Sequence, residues 1–561
     1  MPGITFATGR TPSTKHGRLE RRVKLLGGNE QLDQESPGRV SRREMRFVLA
    51  WAALCIGVVA IPYVRFFLAT PPGTKFNGFY TFSVDYYAYL AWIRQAHDGA
   101  FLLRDLFTSE PHQGAVILPL FWIMGTVERV THLSAIVVWD IFGAVGYTWL
   151  ATAIYRFAAQ FGTGRRFRAL ALILVTTAGG FGWARSSAID FWVGEATSFR
   201  SAAEVQVVFI LALALILECG IHFLRYSLSG RLREAGLAGL FALAAASIHL
   251  YDLVTIGGVV AAWTFLGARR RWPGLLVTLA IPAPYAIYSF VVVRTHPVFS
   301  QVSWNLRQPS ALDFISGYGV PLILAAAALA IPAVRARHRH ASLLCGWIAT
   351  VAVLVTIPSH FAIKFVLGVN VAICILAAMA FDHLMELVGP RLGSDRTRVY
   401  AVSLLVLCAV TPAVRWFSLV LQSPQSTVGR YLPTEYDEAF HWLDEHKAAG
   451  DVVLMLPPLA TVIPSATGIT VFAGHWAQTL DYEAKAEFVR QLFSSRTATK
   501  RERFEHVLDA HRVRYIVVDA LGTADMNLSP KGPFIFEPLC KLVFANPMVA
   551  VWERLSTGDR I

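Results

Sequence analysis

The sequence predicts an α-helical polytopic membrane protein with a C-terminal extracytoplasmic α/β domain. Three observations predict it. The chain of 561 residues is 55% hydrophobic and only 16% charged, with a mean hydropathy of +0.47, whereas soluble domains are roughly 45–50% apolar and about 25% charged. Apolar runs recur from residue 47 to residue 421, many of them close to the roughly 20 residues that a bilayer crossing takes. From residue 422 those runs stop, and shorter helical and strand-like patterns alternate.

The first 46 residues are polar and basic. The apolar run after them is long enough to stay as an anchor, so they are not a cleaved leader. They are expected to form a disordered cytoplasmic tail that holds orientation against anionic lipid. Spans are expected near 47–70, 135–160, 169–185, 205–225, 234–249, 253–268, 272–293, 313–334, 341–357, 363–388 and 400–421, about eleven in all. The segment AVILPLFWIMGTVERV (115–130) is apolar but short, and it holds Pro119 and Gly125. Arginine clusters decide its place. They stand at Arg165/Arg166/Arg168, Arg225/Arg231/Arg233, Arg269/Arg270/Arg271, Arg335/Arg337/Arg339 and Arg391/Arg396/Arg398. They fall in every second loop only if 115–130 does not cross. It is therefore expected as a juxtamembrane helix on the outer face. Arginine and lysine mark cytoplasmic loops, so the N-terminus is inside and the C-terminal region outside. The expected location is the cell (inner or plasma) membrane.

The +13 net charge lies in the tail and in these loops, which excludes nucleic acid as a partner. Cys55, Cys219, Cys345, Cys374 and Cys408 sit inside apolar runs and only Cys540 in the soluble region, so neither a disulfide framework nor a zinc site is expected. In the C-terminal region, 434–447, 481–495 and 499–512 read as helices, and 452–457, 515–519, 541–546 and 549–555 as strands. There is no internal repeat. The expected organisation is a tail (1–46), a transmembrane domain (47–421) with an outer loop at 71–134, and an outer α/β domain (422–561).

That outer loop contains SVDYYAYLAWIRQAHDGAFLLRDLFTSEPHQG (83–114), with Asp85, Asp98, Asp105, Glu110 and His112 among aromatic residues. Ser83 is a suitable N-cap for a helix over 84–97, ended by Asp98 and Gly99. On it, Asp85, Tyr89 and Trp92 stand at i, i+4 and i+7. A carboxylate beside aromatic rings at a low-dielectric boundary tends to have its pKa raised, which suits a general base. Aromatic faces beside it, Tyr89 included, suit a sugar acceptor. The plainer reading is that Asp85 favours the helix dipole. Glu110 and His112 are candidates to contact substrate or a metal, and a capping turn explains them equally well.

One apolar span, then SVDYYAYLAWIRQAHDG and TSEPHQG, then a short LPLFWIMG helix, resembles the GT-C superfamily of membrane glycosyltransferases. The nearest likeness is to bacterial relatives of dolichyl-phosphate-mannose protein mannosyltransferases and of lipid A aminoarabinose transferase. GEATSFRS (194–201), IHLYDLVT (248–255), HFAIKFVLGVNVAICILAA (360–378) and IPSATGITVFAGHWAQTLDY (463–482) extend it in order across residues 47–555. The resemblance implies a polyprenyl-phosphate sugar donor, transfer on the extracytoplasmic side with inversion, and Asp85 as the residue that contacts or deprotonates the acceptor hydroxyl. The acceptor it implies is an envelope glycan, lipid or protein. The basic position at HFAIKF is Lys364, where relatives often carry arginine; lysine neutralises phosphate as a point charge without the bidentate fork.

On that reading Lys364 and His360 are candidates for the donor phosphate, against a snorkelling interface lysine and an interfacial histidine. Asp190 and Glu195, in the next outer loop, are candidates to contact substrate or a metal. No cofactor is required by a motif and there is no Asp-x-Asp signature, so a divalent cation stays open. His249 and Asp252 face the same side as membrane-edge ionisable groups, or as caps of a hairpin between two spans. His475 and Trp476 in GHWAQT are candidates to cover the cleft, against a structural turn with a buried tryptophan. A transporter or flippase of lipid-linked sugars is the alternative; it would want ionisable groups at mid-membrane and internal repeats.

Overall fold

The computed structural model describes residues 38–80, 84–184, 207–267, 271–302, 308–337, 340–359, 362–423, 430–495, 501–526 and 528–555. In chain order its membrane part holds helices α1 (Arg42–Leu68), α2 (Val84–His97), α3 (Pro119–Thr131), α4 (Ala135–Ala158), α5 (Arg165–Thr177), α6 (Val207–Ser229) and α7 (Leu232–Ile248). They are followed by α8 (Asp252–Gly267), α9 (Trp272–Ala280), α10 (Ala283–Thr295), α11 (Ala311–Ala330), α12 (Pro332–Arg337), α13 (Ala341–Thr356) and α14 (Val369–Leu421).

Among the described residues, α1, α4, α6, α11 and α14 are long and apolar enough to cross a membrane; α9 and α10, bent by 49° at their junction, make a sixth if they form one span. The expected span at 169–185 is only the 13-residue α5. α1 starts ahead of the expected residue 47, because Ser41 and Glu44 form a reciprocal capping box. Residues 38–46 are therefore ordered, which corrects the expected extent of the disordered tail. The expected spans at 363–388 and 400–421 run on as α14, broken at Gly393 (φ 76°, ψ 168°). There Gly389 faces Thr397, eight residues on, where a straight helix would part them by about 12 Å. The chain doubles back at this glycine, and two arms lie side by side.

The two sides of the bundle are distinct. Arg168 donates to Glu44 at 3.1 Å and to the Arg39 carbonyl at 2.9 Å, so the first arginine cluster shares a side with the start of the chain. On the opposite side, strand β1 (Thr74–Phe76) pairs antiparallel with β2 (Tyr431–Pro433), joining the first loop to the chain that leaves α14. Arg430 secures the same junction. It lies 3.8 Å over the Phe66 ring and donates to the Tyr80 carbonyl at 2.7 Å.

Segment 115–130 forms α3, packed on α2. Gly125 allows this approach, because a Cβ there would collide with the Ile93 carbonyl. The C-terminal domain holds α15 (Thr434–His446), β3 (Val452–Leu454), α16 (Val462–Thr467), β4 (Thr470–Val471), α17 (Tyr482–Ser494), α18 (Arg501–Ala510), β5 (Val513–Asp519), β6 (Cys540–Ala545) and β7 (Val549–Arg554). Its sheet order is β4-β3-β5-β7-β6. β3 is parallel to β4 and β5, and β7 is antiparallel to β5 and β6. Leu454, Phe472, Phe493, Ile516 and Trp552 fill the core on one side of the sheet, and α15 buries Tyr436, Phe440 and Leu443. The three expected helices and four expected strands are present; α16 and β4 are additional. None of the six cysteines forms a disulfide.

Candidate active site

α2 buries Tyr86, Tyr87, Leu90, Ala91 and Ile93. Arg94, near its end, donates to Asp444 at 3.1 Å and to the Ala466 carbonyl at 2.6 Å, so the helix is clamped to the outer domain. This fixes Asp85 in the first turn. Asp85 Oδ1 and His475 Nε2 lie 2.8 Å apart. His475 Nδ1 accepts the Ala477 N–H at 3.1 Å, so the proton sits on Nε2 and the imidazole donates to the carboxylate. His475 is wholly buried, while the Asp85 side chain is 34% exposed. Trp476 stacks on His475 with centroids 5.9 Å apart and is 40% exposed. The expectation of a buried tryptophan is thus reversed: the histidine is buried, because it is hydrogen-bonded on both nitrogens, and the tryptophan ring faces outward.

A second set of contacts seats the loop on the domain. Lys485 on α17 lies 2.6 Å from Glu110 and donates to Thr108 at 3.2 Å. Thr479 donates to the Phe107 carbonyl at 2.6 Å, Thr108 bridges Ala473, and Ser109 Oγ lies 2.8 Å from His511 Nδ1. Burial alone would raise the Glu110 carboxyl, but Lys485 and Thr108 hold it below its usual range. Burial lowers the Lys485 ammonium, and Glu110 recovers only part of that loss. Asp105 is fully buried. Burial pushes its carboxyl up to about 7, against the pull of the Phe107 N–H and of Lys485.

His112 Nε2 accepts the Asp105 N–H at 3.0 Å, and Nδ1 faces the Glu110 carbonyl at 2.8 Å. Both ring nitrogens are thus engaged, and Glu110 is paired with Lys485. The capping reading describes this pair; a metal would need a lone pair that the hydrogen bonds already use. Among the described residues no three His, Cys, Asp or Glu side chains gather as a metal site. Asp190, Glu195 and His360 lie outside the described residues.

Lys364 stands in the short turn Ala362–Val366, with Nζ 5.2 Å from the Phe209 ring centroid. His249 packs edge-on to the same ring at 5.2 Å, and its Nδ1 lies 2.9 Å from Asp252. The first turn of α6 therefore brings Lys364 and His249 to one phenylalanine, with Asp252 held by His249; the sequence does not single out Phe209. Tyr89 is stacked between Phe121 (5.0 Å) and Trp139 (5.7 Å). Its ring serves packing of α2, α3 and α4, whereas Trp476, stacked on the histidine that meets Asp85, is exposed. Lys485 was also missed. Its signal is that it lies in register with the buried stripe Ala486, Val489, Leu492 and Phe493 of α17.

No protein-family model matches the sequence, and no curated protein is similar to it. Solved structures are. The apo structure of ArnT from Cupriavidus metallidurans superposes with a TM-score of 0.50 at 14% identity, over 90% of this chain and 98% of that one. Arabinofuranosyltransferase AftD from Mycobacteria superposes with a TM-score of 0.56 at 15% identity, over 93% of this chain and 40% of that one. The chain has the GT-C fold. ArnT bound to undecaprenyl phosphate superposes with a TM-score of 0.49 at 14% identity, over 91% of this chain and 98% of that one. Within this GT-C fold, Asp85 on the loop after α1 and His475 on the C-terminal domain meet where the two parts join.

Proposed function

We propose that the protein is a glycosyltransferase that moves a sugar from a polyprenyl-phosphate donor to an acceptor hydroxyl on the extracytoplasmic face, with inversion at the anomeric carbon. The observation that carries this reading is the Asp85–His475 pair at 2.8 Å, half-open at the junction of loop and domain in a GT-C fold. The acceptor oxygen attacks the anomeric carbon as its proton passes to the Asp85 carboxylate. The bond from that carbon to the phosphate oxygen breaks, and polyprenyl phosphate leaves with the negative charge. His475 Nε2–H holds one carboxylate oxygen and so orients the base. Lys364, in an environment shared with Phe209 and His249, is the cation for the developing phosphate charge, which such a group stabilises more in the transition state than in the ground state. Trp476 offers an exposed face for a sugar ring. A divalent cation would draw on Asp190 and Glu195. On this reading the N-terminus lies in the cytoplasm and the C-terminal domain outside a cell membrane.

The test is transfer of label from a panel of polyprenyl-phosphate sugars by purified protein in proteoliposomes, wild type beside Asp85→Asn. Transfer by the wild type and its loss in a folded variant support the reading; equal transfer by both removes Asp85 from it.

One observation favours the transporter reading. Glu218 is 2% exposed at the middle of α6, in a short ion pair with Arg156 on α4 and within 3.4 Å of the Trp149 indole nitrogen. Ionisable groups buried between spans mark ion or substrate paths by default. The Glu218–Arg156 pair also ties α4 to α6, the scaffold role that the enzyme reading expects.

A further inference from the structure

A cavity of about 300 Å³ lies between α1, α4 and the start of α6. Val59, Gly143 and Ile210 contribute apolar walls, and Phe79 and Tyr86 also line it. These two rings stack at 4.1 Å, and Tyr86 abuts Trp139 edge-on at 5.9 Å. Tyr86 directly follows Asp85, so the cavity reaches the turn that carries the proposed base. α1 and α4 expose Ile61, Val64, Ile141 and Val145 on their outer faces, as lipid-facing helices do.

Charge separates this cavity from the Lys364 site. Among the described lining residues there is one carboxylate, Asp140, which meets the Tyr63 hydroxyl, and no lysine, arginine or histidine. Val207 and Ile210 of α6 line the cavity, while Phe209 between them turns the other way, to His249 and Lys364. One turn of helix thus parts a place with a cation from an apolar place whose only charge among the described residues is negative. A phosphate is repelled by Asp140 and attracted by Lys364. A hydrocarbon chain with a hydroxyl-bearing head has the opposite preference, because its chain leaves no charge to solvate and its hydroxyls can donate to Asp140.

The geometry points to a second lipid site: the cavity holds the hydrocarbon chain of a neutral, hydroxyl-bearing lipid, and that lipid is the acceptor, with its head at Asp85. The acceptor role rests on the glycosyltransferase reading; the binding site does not.

The test uses dodecyl glucoside carrying a diazirine on its chain, photolysed with the full-length protein in proteoliposomes and mapped by peptide mass spectrometry. The expected label falls on cavity residues such as Val59 and Gly143. Unlabelled dodecyl glucoside competes, and dodecyl phosphate does not. Ala144→Phe, which fills the cavity, lowers the label by about tenfold, while Val145→Phe, on the lipid-facing side of α4, leaves it unchanged. Asp140→Asn keeps the shape and lets dodecyl phosphate compete, which separates charge from folding if the larger side chain unfolds the protein. Label spread evenly over Ile61 and Val145, or unchanged in a folded Ala144→Phe, overturns the site. A transfer assay distinguishes the two readings. Cavity label without transfer from any polyprenyl-phosphate sugar to any acceptor overturns the glycosyltransferase reading and leaves the lipid site standing. Equal transfer to free glucose and to dodecyl glucoside, without cavity label, overturns the lipid site alone.

Discussion

Asp85 and His475 stand 390 residues apart in the chain and 2.8 Å apart in space. The carboxylate belongs to the loop after the first span and the imidazole to the C-terminal domain. The pair exists only when the two parts are docked, so docking and the orientation of the proposed base are one event.

Asp85→Asn is expected to lower kcat for sugar transfer by about 10²–10⁴-fold, the usual worth of a general base. His475→Ala removes a hydrogen bond to a charged group, worth about 1.5–3 kcal/mol, and should cost roughly 10–100-fold. His475→Gln keeps an N–H donor and should retain more activity than the alanine variant. The order of the three kcat values in proteoliposomes checks this. An alanine variant as active as wild type would show that His475 does not orient the base.

Lys485→Met leaves Glu110 half-buried without its cation. Breaking one side of a buried pair costs on the order of 3 kcal/mol, so thermal unfolding should shift down clearly. Glu110→Gln combined with Lys485→Met should recover part of that loss, because the contacting residues are coupled. Additive losses in the double variant would mean that the pair carries no interaction energy.

The Asp105 carboxyl, pushed up to about 7 by burial, gives a signed pH dependence. Its native pKa lies above its unfolded value, so between pH about 4 and about 7 the native state holds a proton that the unfolded state has lost. Its contribution to stability is present at low pH and is lost as pH rises through that window. Asp105→Asn keeps an acceptor for the Phe107 N–H and removes the titration. Unfolding free energies of wild type and variant, measured at several pH values, should differ most in slope between pH about 4 and about 7. Parallel profiles would refute the assignment.

Lys364→Gln removes the charge beside Phe209 and should reduce kcat by roughly 10²–10³-fold, as for loss of a group that stabilises transition-state charge. Lys364→Arg keeps the charge and should retain most activity. If both variants lose only donor affinity at unchanged kcat, Lys364 binds the ground state without assisting departure of the phosphate.

Glu218→Gln strands the Arg156 guanidinium between α4 and α6. It should destabilise the fold by a few kcal/mol and leave transfer per folded molecule near wild type. Loss of lipid translocation with intact stability would instead revive the transporter reading.

Much of the architecture was legible because it depends on short stretches of chain. The C-terminal end of α2 followed from Asp98 and Gly99, and the strands of the C-terminal domain from runs such as YIVVD. The less regular parts were not. The break that folds α14 back at Gly393 was expected only as two separate spans. The Tyr89 ring was assigned to sugar because nothing local shows that Phe121 and Trp139 enclose it. Lys485 was overlooked because a lysine on an amphipathic helix is usually solvent-facing; only its register with the buried stripe sets it apart.

The sequence by itself determined the membrane class, and it set the expected two-part organisation, the expected sidedness and the candidacy of Asp85. These follow from hydropathy, arginine placement and helix periodicity, each set within about 20 residues of chain. Only the tertiary structure decided that His475 is the partner of Asp85, that Lys485 holds Glu110, and that Phe209 gathers Lys364 and His249. Such contacts are chosen by the packing of segments hundreds of residues apart, where a hydrogen-bond donor and acceptor must meet within about 3 Å, and no local pattern encodes which distant side chain will be there.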